Sequence, residues 1–264
     1  MVTPGRSFSA LAQFRIDGDV AVVTGGGAGI GRVACLALAE AGAHVCVTDL
    51  DAAAAAGVAR EIAAAGGGAE AHGLDVADAE AIPRVLGAIA DARGRLDVLV
   101  NNAGVALREA TTVLALEDWE RIVRINQTAV FLCSREAARV MIAHRAGRII
   151  NIASIMGLVG GGFYPNLPYH ATKGAVVNMT RALAAEWAPH GIRVNAIAPT
   201  FARTELTSRL RQDADKVRII EERTPLGRFA EPEEMAGGIL YLASPASSMV
   251  TGHVLAIDGG WTAI

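Results

Sequence analysis

A single-domain, doubly wound α/β fold, with one parallel seven-stranded sheet and helices on both faces, is what this sequence predicts. Three observations carry that expectation. Short Val/Ile-rich runs alternate along the chain with Ala-rich stretches of helical character, the pattern of strands buried on both faces and joined by helical crossovers. A glycine-rich turn stands between the first such run and the first helical stretch, and an acid closes the second run. The 264 residues are 52% hydrophobic and 19% charged, enough apolar material for one large core and too little charge for a disordered chain.

Taken in order, Val20-Ala-Val-Val-Thr24 is almost wholly β-branched and reads as the first strand, with Gly29 to Ala41 as the helix behind it. His44-Val-Cys-Val-Thr-Asp49 is the second strand, and the alanine-rich stretch over about 52–65 the second helix. A third strand is expected from about Ala69 to Asp75 and a helix from there to about Arg93. Leu96-Asp-Val-Leu-Val-Asn101 is the fourth strand, and two helical stretches span about 117–146. Gly147-Arg-Ile-Ile-Asn-Ile-Ala-Ser154 is a buried strand ending on a hydroxyl, and a long helix opens at Tyr169. Arg193-Val-Asn-Ala-Ile-Ala198 is the sixth strand. A polar loop with a short helix covers about 199–230, a helix starts at Pro232, and His253–Ile257 is the last strand. No repeat, low-complexity linker or charge block interrupts this alternation. Residues 14–264 therefore read as one domain, and residues 1–13 as a loose tail.

Several function classes are disfavoured at once. The net charge of -3 and the lack of a basic stripe argue against nucleic acid. No run of 18 or more apolar residues occurs, and Met1–Gln13 has no apolar core of a signal peptide, so no membrane association and a cytoplasmic location are expected. Cys35, Cys46 and Cys133 are far apart in the sequence and the six histidines are scattered, so the cysteines read as reduced core residues and no metal site is expected.

The chemistry begins at Thr24-Gly-Gly-Gly-Ala-Gly-Ile-Gly31, whose glycines fit T-G-x-x-x-G-x-G. Gly25, Gly29 and Gly31 let the backbone turn tightly and approach a pyrophosphate seated on the helix N-terminus, with Ile30 between the last two as a further cofactor-binding position. Asp49 lies 20 residues beyond Gly29, where a carboxylate accepts hydrogen bonds from ribose hydroxyls and repels a 2′-phosphate. Its neighbour Leu50 offers no compensating charge, so the expected cofactor is NAD; Arg32, just after the last glycine, reads as solvated or helix-facing. Asp75 and Val76 close the third strand, where a side-chain acceptor meets an adenine amino group. Asn101-Asn102-Ala103-Gly104 closes the fourth with small residues for close backbone approach. All of these share the crevice at the carboxyl ends of the strands.

Opposite them, Tyr169-His-Ala-Thr-Lys173 places a phenol and an ammonium four residues apart, on one helix face with Cβ atoms about 5–6 Å apart. A cation beside a phenol lowers its pKa, and Ser154 at the strand mouth can hold an alcohol or carbonyl oxygen while a proton moves. Each residue singly has a plain structural reading: Ser154 as a turn cap, Asn126 as backbone support in a kinked helix, Lys173 as a solvated charge.

Over residues 14–264 this ordered set of motifs resembles the short-chain dehydrogenase/reductase family, whose fold is Rossmann-like. The resemblance implies that Tyr169 is the general acid/base and Ser154 holds the substrate oxygen. It implies that Lys173 binds the nicotinamide ribose and depresses the tyrosine pKa, and that Asn126 anchors a water linking Lys173 to solvent. Tyr169 and Lys173 thus also touch cofactor, as do Asn102, Ala103 and Gly104. Pro199, Ala202 and Thr204 flank the nicotinamide, carboxamide or pyrophosphate.

Two departures stand out. Ser154 and Tyr169 are 15 residues apart, about two more than in many members, and the intervening Gly157–Pro168 loop carries Phe163 and Tyr164 as a wall of the substrate pocket. Tyr164 is a rival phenol, but Pro168 stands at its i+4 position where a lysine would be needed. Pro199-Thr200 stands where the family tends to have Pro-Gly.

For substrate, Ile125–Phe131 and Arg181–Trp187 resemble gluconate 5-dehydrogenases and polyol dehydrogenases, which implies a sugar alcohol or sugar acid. Arg108, or an arginine within 203–228, is a candidate for a substrate carboxylate. The alternatives are a 3-oxoacyl-thioester reductase and a catalytically silent NAD-binding regulator or scaffold. The resemblance also implies a homotetramer, with the helices around 117–146 and 168–189 and the last strand at interfaces.

Overall fold

The computed structural model describes residues 8–160 and 163–264. Seven parallel strands form one sheet in the order β3-β2-β1-β4-β5-β6-β7. They are β1 (Val20–Thr24), β2 (His44–Asp49), β3 (Ala69–Gly73), β4 (Val98–Asn101), β5 (Gly147–Ile152), β6 (Ile192–Pro199) and β7 (Val254–Ile257). The helices between them are α1 (Gly29–Glu40), α2 (Ala52–Ala64), α3 (Ala81–Arg93), α4 (Leu116–Val123), α5 (Ala129–His144), α6 (Leu167–Trp187), α7 (Ser208–Arg211), α8 (Ala214–Arg223) and α9 (Ala236–Ala243).

Alternation along each strand sends residues to two separate cores. Ala21, Val23, Val45 and Val47 pack with α1 and α9 through Leu38 and Leu242. Val20, Val22 and Leu99 pack on the other face with α3, α5 and α6 through Leu86, Met141 and Leu183. Strand order reverses between β1 and β4, which opens a crevice at their carboxyl ends.

The expected elements are found, with shifted edges. β3 stops at Gly73 rather than Asp75, because the Asp75 carboxylate turns the chain by accepting from the Ala77 N–H at 2.8 Å. β4 starts at Val98, since Asp97 instead anchors β1: its carboxylate accepts from the Val20 N–H at 2.8 Å. The two helical stretches over 117–146 are joined by a π turn, Arg124–Thr128, rather than by a break. The region 199–230 holds α7 and α8 and a 3-10 turn at Glu205–Thr207, more helix than the one short piece expected. In the expected tail Leu11–Phe14 form a 3-10 turn, and residues 1–7 lie outside the described residues.

Strand pairing brings together three potential ligand side chains, His44, Cys46 and Glu70, that sequence spacing did not show. Cys46 of β2 is in register with Glu70 of β3, and His44 stands two residues before Cys46 on the same face. Sequence spacing alone hides this group, because its members come from two strands. No helix among the described residues is long and apolar enough to cross a membrane.

Candidate active site

A cleft of about 520 Å³ opens at the carboxyl ends of the strands. The residues expected for catalysis and cofactor contact all line it except Gly31 and Asn126; of the expected loop wall, Tyr164 lines it and Phe163 does not.

The glycine loop is built as a cradle. Gly25 and Gly29 have φ of +63° and +52°, the left-handed region that a side chain resists. A Cβ on Gly31 would stand 2.0 Å from the Gly25 carbonyl oxygen and 2.5 Å from Asn102 Nδ2, so α1 can tuck under the loop only through a glycine. Asn102 fastens this turn from β4: Nδ2 donates to the carbonyls of Thr24 (3.0 Å) and Gly25 (2.8 Å), and its N–H donates to Thr24 Oγ1 (3.0 Å). Asp49 accepts from the Gly27 N–H at 2.8 Å and the Asp51 N–H at 3.0 Å, which holds its carboxylate at the mouth of the loop. Arg32 is not in the cleft; it forms a bidentate ion pair with Glu61 of α2. These features fit a dinucleotide: a glycine-rich backbone cradle at the start of a helix, in which only Ala28 and Ile30 carry a Cβ, and a fixed carboxylate one strand away.

At the other end of the cleft Ser154 follows β5, 6% exposed, and its Oγ accepts from the Met156 N–H at 3.1 Å. With that acceptance made, the hydroxyl proton is available to another oxygen. The Tyr169 phenol is partly buried beside it, and burial pushes its pKa up to about 12, opposed by hydrogen bonding with Ser154. Lys173 is 4% exposed and has no carboxylate partner among the described residues; burial alone brings its pKa down to about 8. Its Nζ donates to the Ile152 carbonyl at 2.6 Å and lies 5.6 Å from the Tyr169 ring centroid. In the protein by itself, desolvation of the phenol is the largest influence on its pKa, and the Lys173 ammonium is turned toward β5.

Asn126 sits fully buried in the π turn, and its side chain brackets one loop residue. Oδ1 accepts from the Val105 N–H at 2.9 Å, and Nδ2 donates to the Val105 carbonyl at 2.8 Å. It thus shapes the backbone beside Gly104, whose missing Cβ would stand 3.3 Å from Asn126 Oδ1 and 3.7 Å from Lys173 Nζ. A π turn widens the helix locally and is frequent at functional sites.

Two contributors come from loops without periodicity. Asn166, 4% exposed, lines the cleft just before α6, and its Oδ1 has no partner among the described residues. Arg108 also lines the cleft: Nη2 donates to the Leu206 carbonyl at 3.1 Å, the guanidinium lies 5.4 Å from the Tyr164 ring centroid, and the buried Nε has no partner among the described residues. Only an asparagine ahead of a helical pattern hinted at Asn166 in the sequence. Among the described residues, none of the arginines of 203–228 lines the cleft. Arg203 and Arg228 pair with Glu231 and Glu234, Arg218 with Asp215 and Glu222, and Arg223 covers Trp261. Thr200, where Pro-Gly was expected, puts a buried Oγ1 without a partner at the cleft wall.

Comparison with known proteins follows the same lines. Residues 25–262 match a family described as Enoyl-(Acyl carrier protein) reductase. The chain is 42% identical to galactitol 2-dehydrogenase (L-tagatose-forming) of Cereibacter sphaeroides over 94% of its length and 97% of the relative's. It is 39% identical to a 3-oxoacyl-[acyl-carrier-protein] reductase of Synechocystis, over 92% and 96%. A solved short-chain type dehydrogenase/reductase from Mycobacterium marinum is 41% identical with a TM-score of 0.93, over 97% of this chain and 100% of that one. A structure described as an NAD(P)-dependent gluconate 5-dehydrogenase from Beutenbergia cavernae, with NADP bound at low occupancy, is 44% identical with a TM-score of 0.92, over 96% and 100%. A cleft of this build, reached from strand ends that the sequence had already marked, places the chain in the short-chain dehydrogenase/reductase family of oxidoreductases.

Proposed function

We propose that this enzyme interconverts a secondary alcohol and a ketone on a sugar alcohol or sugar acid, with NAD as hydride partner. The observation that carries this reading is the cleft in which Ser154, Tyr169 and Lys173 share walls with Arg108 and the unpartnered Asn166 oxygen. A polyhydroxylated substrate offers hydroxyl donors to Asn166 Oδ1, and a carboxylate at its far end would meet Arg108. Galactitol and gluconate appear in the names of the relatives, which is consistent with such a ligand.

A bound nicotinamide supplies the hydride chemistry and, when oxidised, a positive charge in the cleft. The chain's own residues manage the oxygen and its proton. Ser154 donates to the substrate oxygen, where negative charge develops. Tyr169, with its pKa pushed up to about 12, holds its proton at neutral pH and gives it to a forming alkoxide in reduction. In oxidation it accepts the alcohol proton as tyrosinate, which the ammonium of Lys173 favours. Asn126 positions the 103–105 backbone against which Lys173 rests.

NAD rather than NADP is supported by Asp49 at the loop mouth, by Leu50 beside it, and by the engagement of Arg32 with Glu61. The fixed carboxylate also weighs against the thioester-reductase reading, because it disfavours a 2′-phosphate. A homotetramer and a cytoplasmic setting belong to the same proposal, supported by exposed apolar residues on α5 and α6 and by three free cysteines.

The test is the near-ultraviolet absorbance of reduced nicotinamide, with NAD and NADP offered against polyols, aldonates, hydroxyacyl thioesters and simple secondary alcohols. Turnover of polyols or aldonates with NAD is expected, with kcat/KM falling about 10²–10⁴-fold in Tyr169→Phe. Preference for NADP with thioesters would put the reductase reading in its place. NAD binding without turnover on any substrate would leave a silent binding protein.

A further inference from the structure

We propose that the chain carries a zinc site at the end of the sheet opposite the cleft, with His44, Cys46 and Glu70 as its protein ligands. His44 is the first residue of β2 and Asp49 the last, so the two lie about 16 Å apart along the strand. Potential ligand atoms of His44, Cys46 and Glu70 all fall within 4.8 Å of one another. Cys46 Sγ is 3.1 Å from Glu70 Oε1, and His44 Nε2 is 4.0 Å from Glu70 Oε2. Zinc bonds of about 2.0–2.3 Å in a tetrahedron set ligand atoms about 3.3–3.8 Å apart, so shifts of under about 1 Å close the site.

Its polar bookkeeping is also incomplete without a further partner. Among the described residues, His44 Nε2 and His72 Nε2 are both buried and make no hydrogen bond, although His72 Nε2 is 3.3 Å from Glu70 Oε1. Two imidazole nitrogens thus stand idle beside one carboxylate. The donor set of one nitrogen, one sulfur and one carboxylate oxygen suits a borderline-soft divalent ion. A thiolate and a carboxylate together carry the charge that balances Zn²⁺, while the imidazole stays neutral. Binding replaces the Cys46 S–H bond by an S–Zn bond and releases that proton to solvent, with no change of oxidation state.

Arg93, in the last turn of α3, pairs with Glu70 through Nη2 on Oε2. Arg93 Nε also reaches Oε1, at 3.4 Å, so a metal bound at Oε1, the oxygen nearest Cys46 and His72, displaces that longer contact and keeps the one on Oε2. Gly68 completes the build: a Cβ there would lie 2.7 Å from His44 Nδ1, so the glycine leaves room for the imidazole. His72 either takes the fourth position or hydrogen-bonds Glu70 from outside it.

The test uses the full chain, dialysed against a chelator. Zn²⁺ is titrated in competition with a chromophoric chelator, and Co²⁺ is added separately as a spectroscopic probe. A single Zn²⁺ per chain is expected, along with an intense thiolate-to-cobalt charge-transfer band. Cys46→Ser should abolish that band, and His44→Gln should weaken zinc binding about 10-fold or more, both with dehydrogenase turnover unchanged. If Cys46→Ser fails to fold, His44→Gln decides, since its side chain is partly exposed. Absence of the band, or zinc held equally tightly by His44→Gln, overturns the site.

Discussion

Lys173 shows how much a single residue asks of this fold. An ammonium with 4% exposure and no counter-ion is costly to bury, and its one hydrogen bond, to the Ile152 carbonyl, offsets only part of that cost. Its pKa of about 8, against 10.5 when unfolded, fixes the sign of the pH dependence. Below about pH 8 both states hold the proton and the burial cost is fully present. Between about 8 and 10.5 the folded chain releases a proton that the unfolded chain keeps, so stability rises with pH. Lys173→Met should therefore raise the stability of the cofactor-free protein at pH 7 by on the order of 2 kcal/mol while removing activity. That gain should shrink toward pH 10, as read by thermal unfolding across pH. A melting temperature lowered by the substitution at pH 7 would contradict this. At this scale the sequence was readable where spacing is local: Tyr169 and Lys173 share a helix face as the i,i+4 separation requires. It was silent on the direction of Nζ and on Asn166, and it named Arg108 only as one of several arginines, because these positions depend on loops folded against the far side of the cleft.

Among elements, the turn from β1 into α1 is the most constrained. Gly31→Ala sets a methyl against the Gly25 carbonyl and Asn102. It should cost about 1–3 kcal/mol and weaken dinucleotide binding, measurable by chemical denaturation and by quenching of protein fluorescence. Gly57, inside α2, is the control: nothing lies within 4 Å of its added Cβ, so Gly57→Ala should stabilise by about 0.5–1 kcal/mol and leave binding alone. Equal behaviour of the two variants would show that the close approach is relieved elsewhere. The glycine pattern made this turn legible before any coordinates, because only glycine satisfies both the φ values and the contact. The π turn at Arg124–Thr128 was not legible, since one extra residue per turn leaves the apolar pattern nearly unchanged. The His44–Cys46–Glu70 cluster needed the pairing of β2 with β3, a fact of topology rather than of spacing.

For the whole molecule, parallel strands bring every carboxyl end to one side. Segments as distant in sequence as Gly25, Asn102, Ser154 and Pro199 therefore meet in one cleft. The count of seven strands and their parallel sense followed from the βα alternation; the edges moved where Asp75 and Asp97 spend their carboxylates on neighbouring backbone. Apolar side chains remain exposed on α5 (Phe131 and Ile142), at the start of α6 (Leu167), and near the last strand (Met249 and Ile264). Light scattering at micromolar concentration should give the mass of four chains, and a monomer mass would remove the tetramer from the proposal.

The uncompensated ammonium at Lys173 also makes the protein a proton-linked binder. A pKa of about 8 means that a sizeable share of molecules lack that proton in mildly alkaline buffer. Ribose hydroxyls accepting from Nζ would favour the charged form, so dinucleotide binding at pH 8 should draw protons from solution. Isothermal calorimetry in buffers of unequal ionisation enthalpy would then give different apparent heats for one and the same affinity, and the difference should vanish near pH 6.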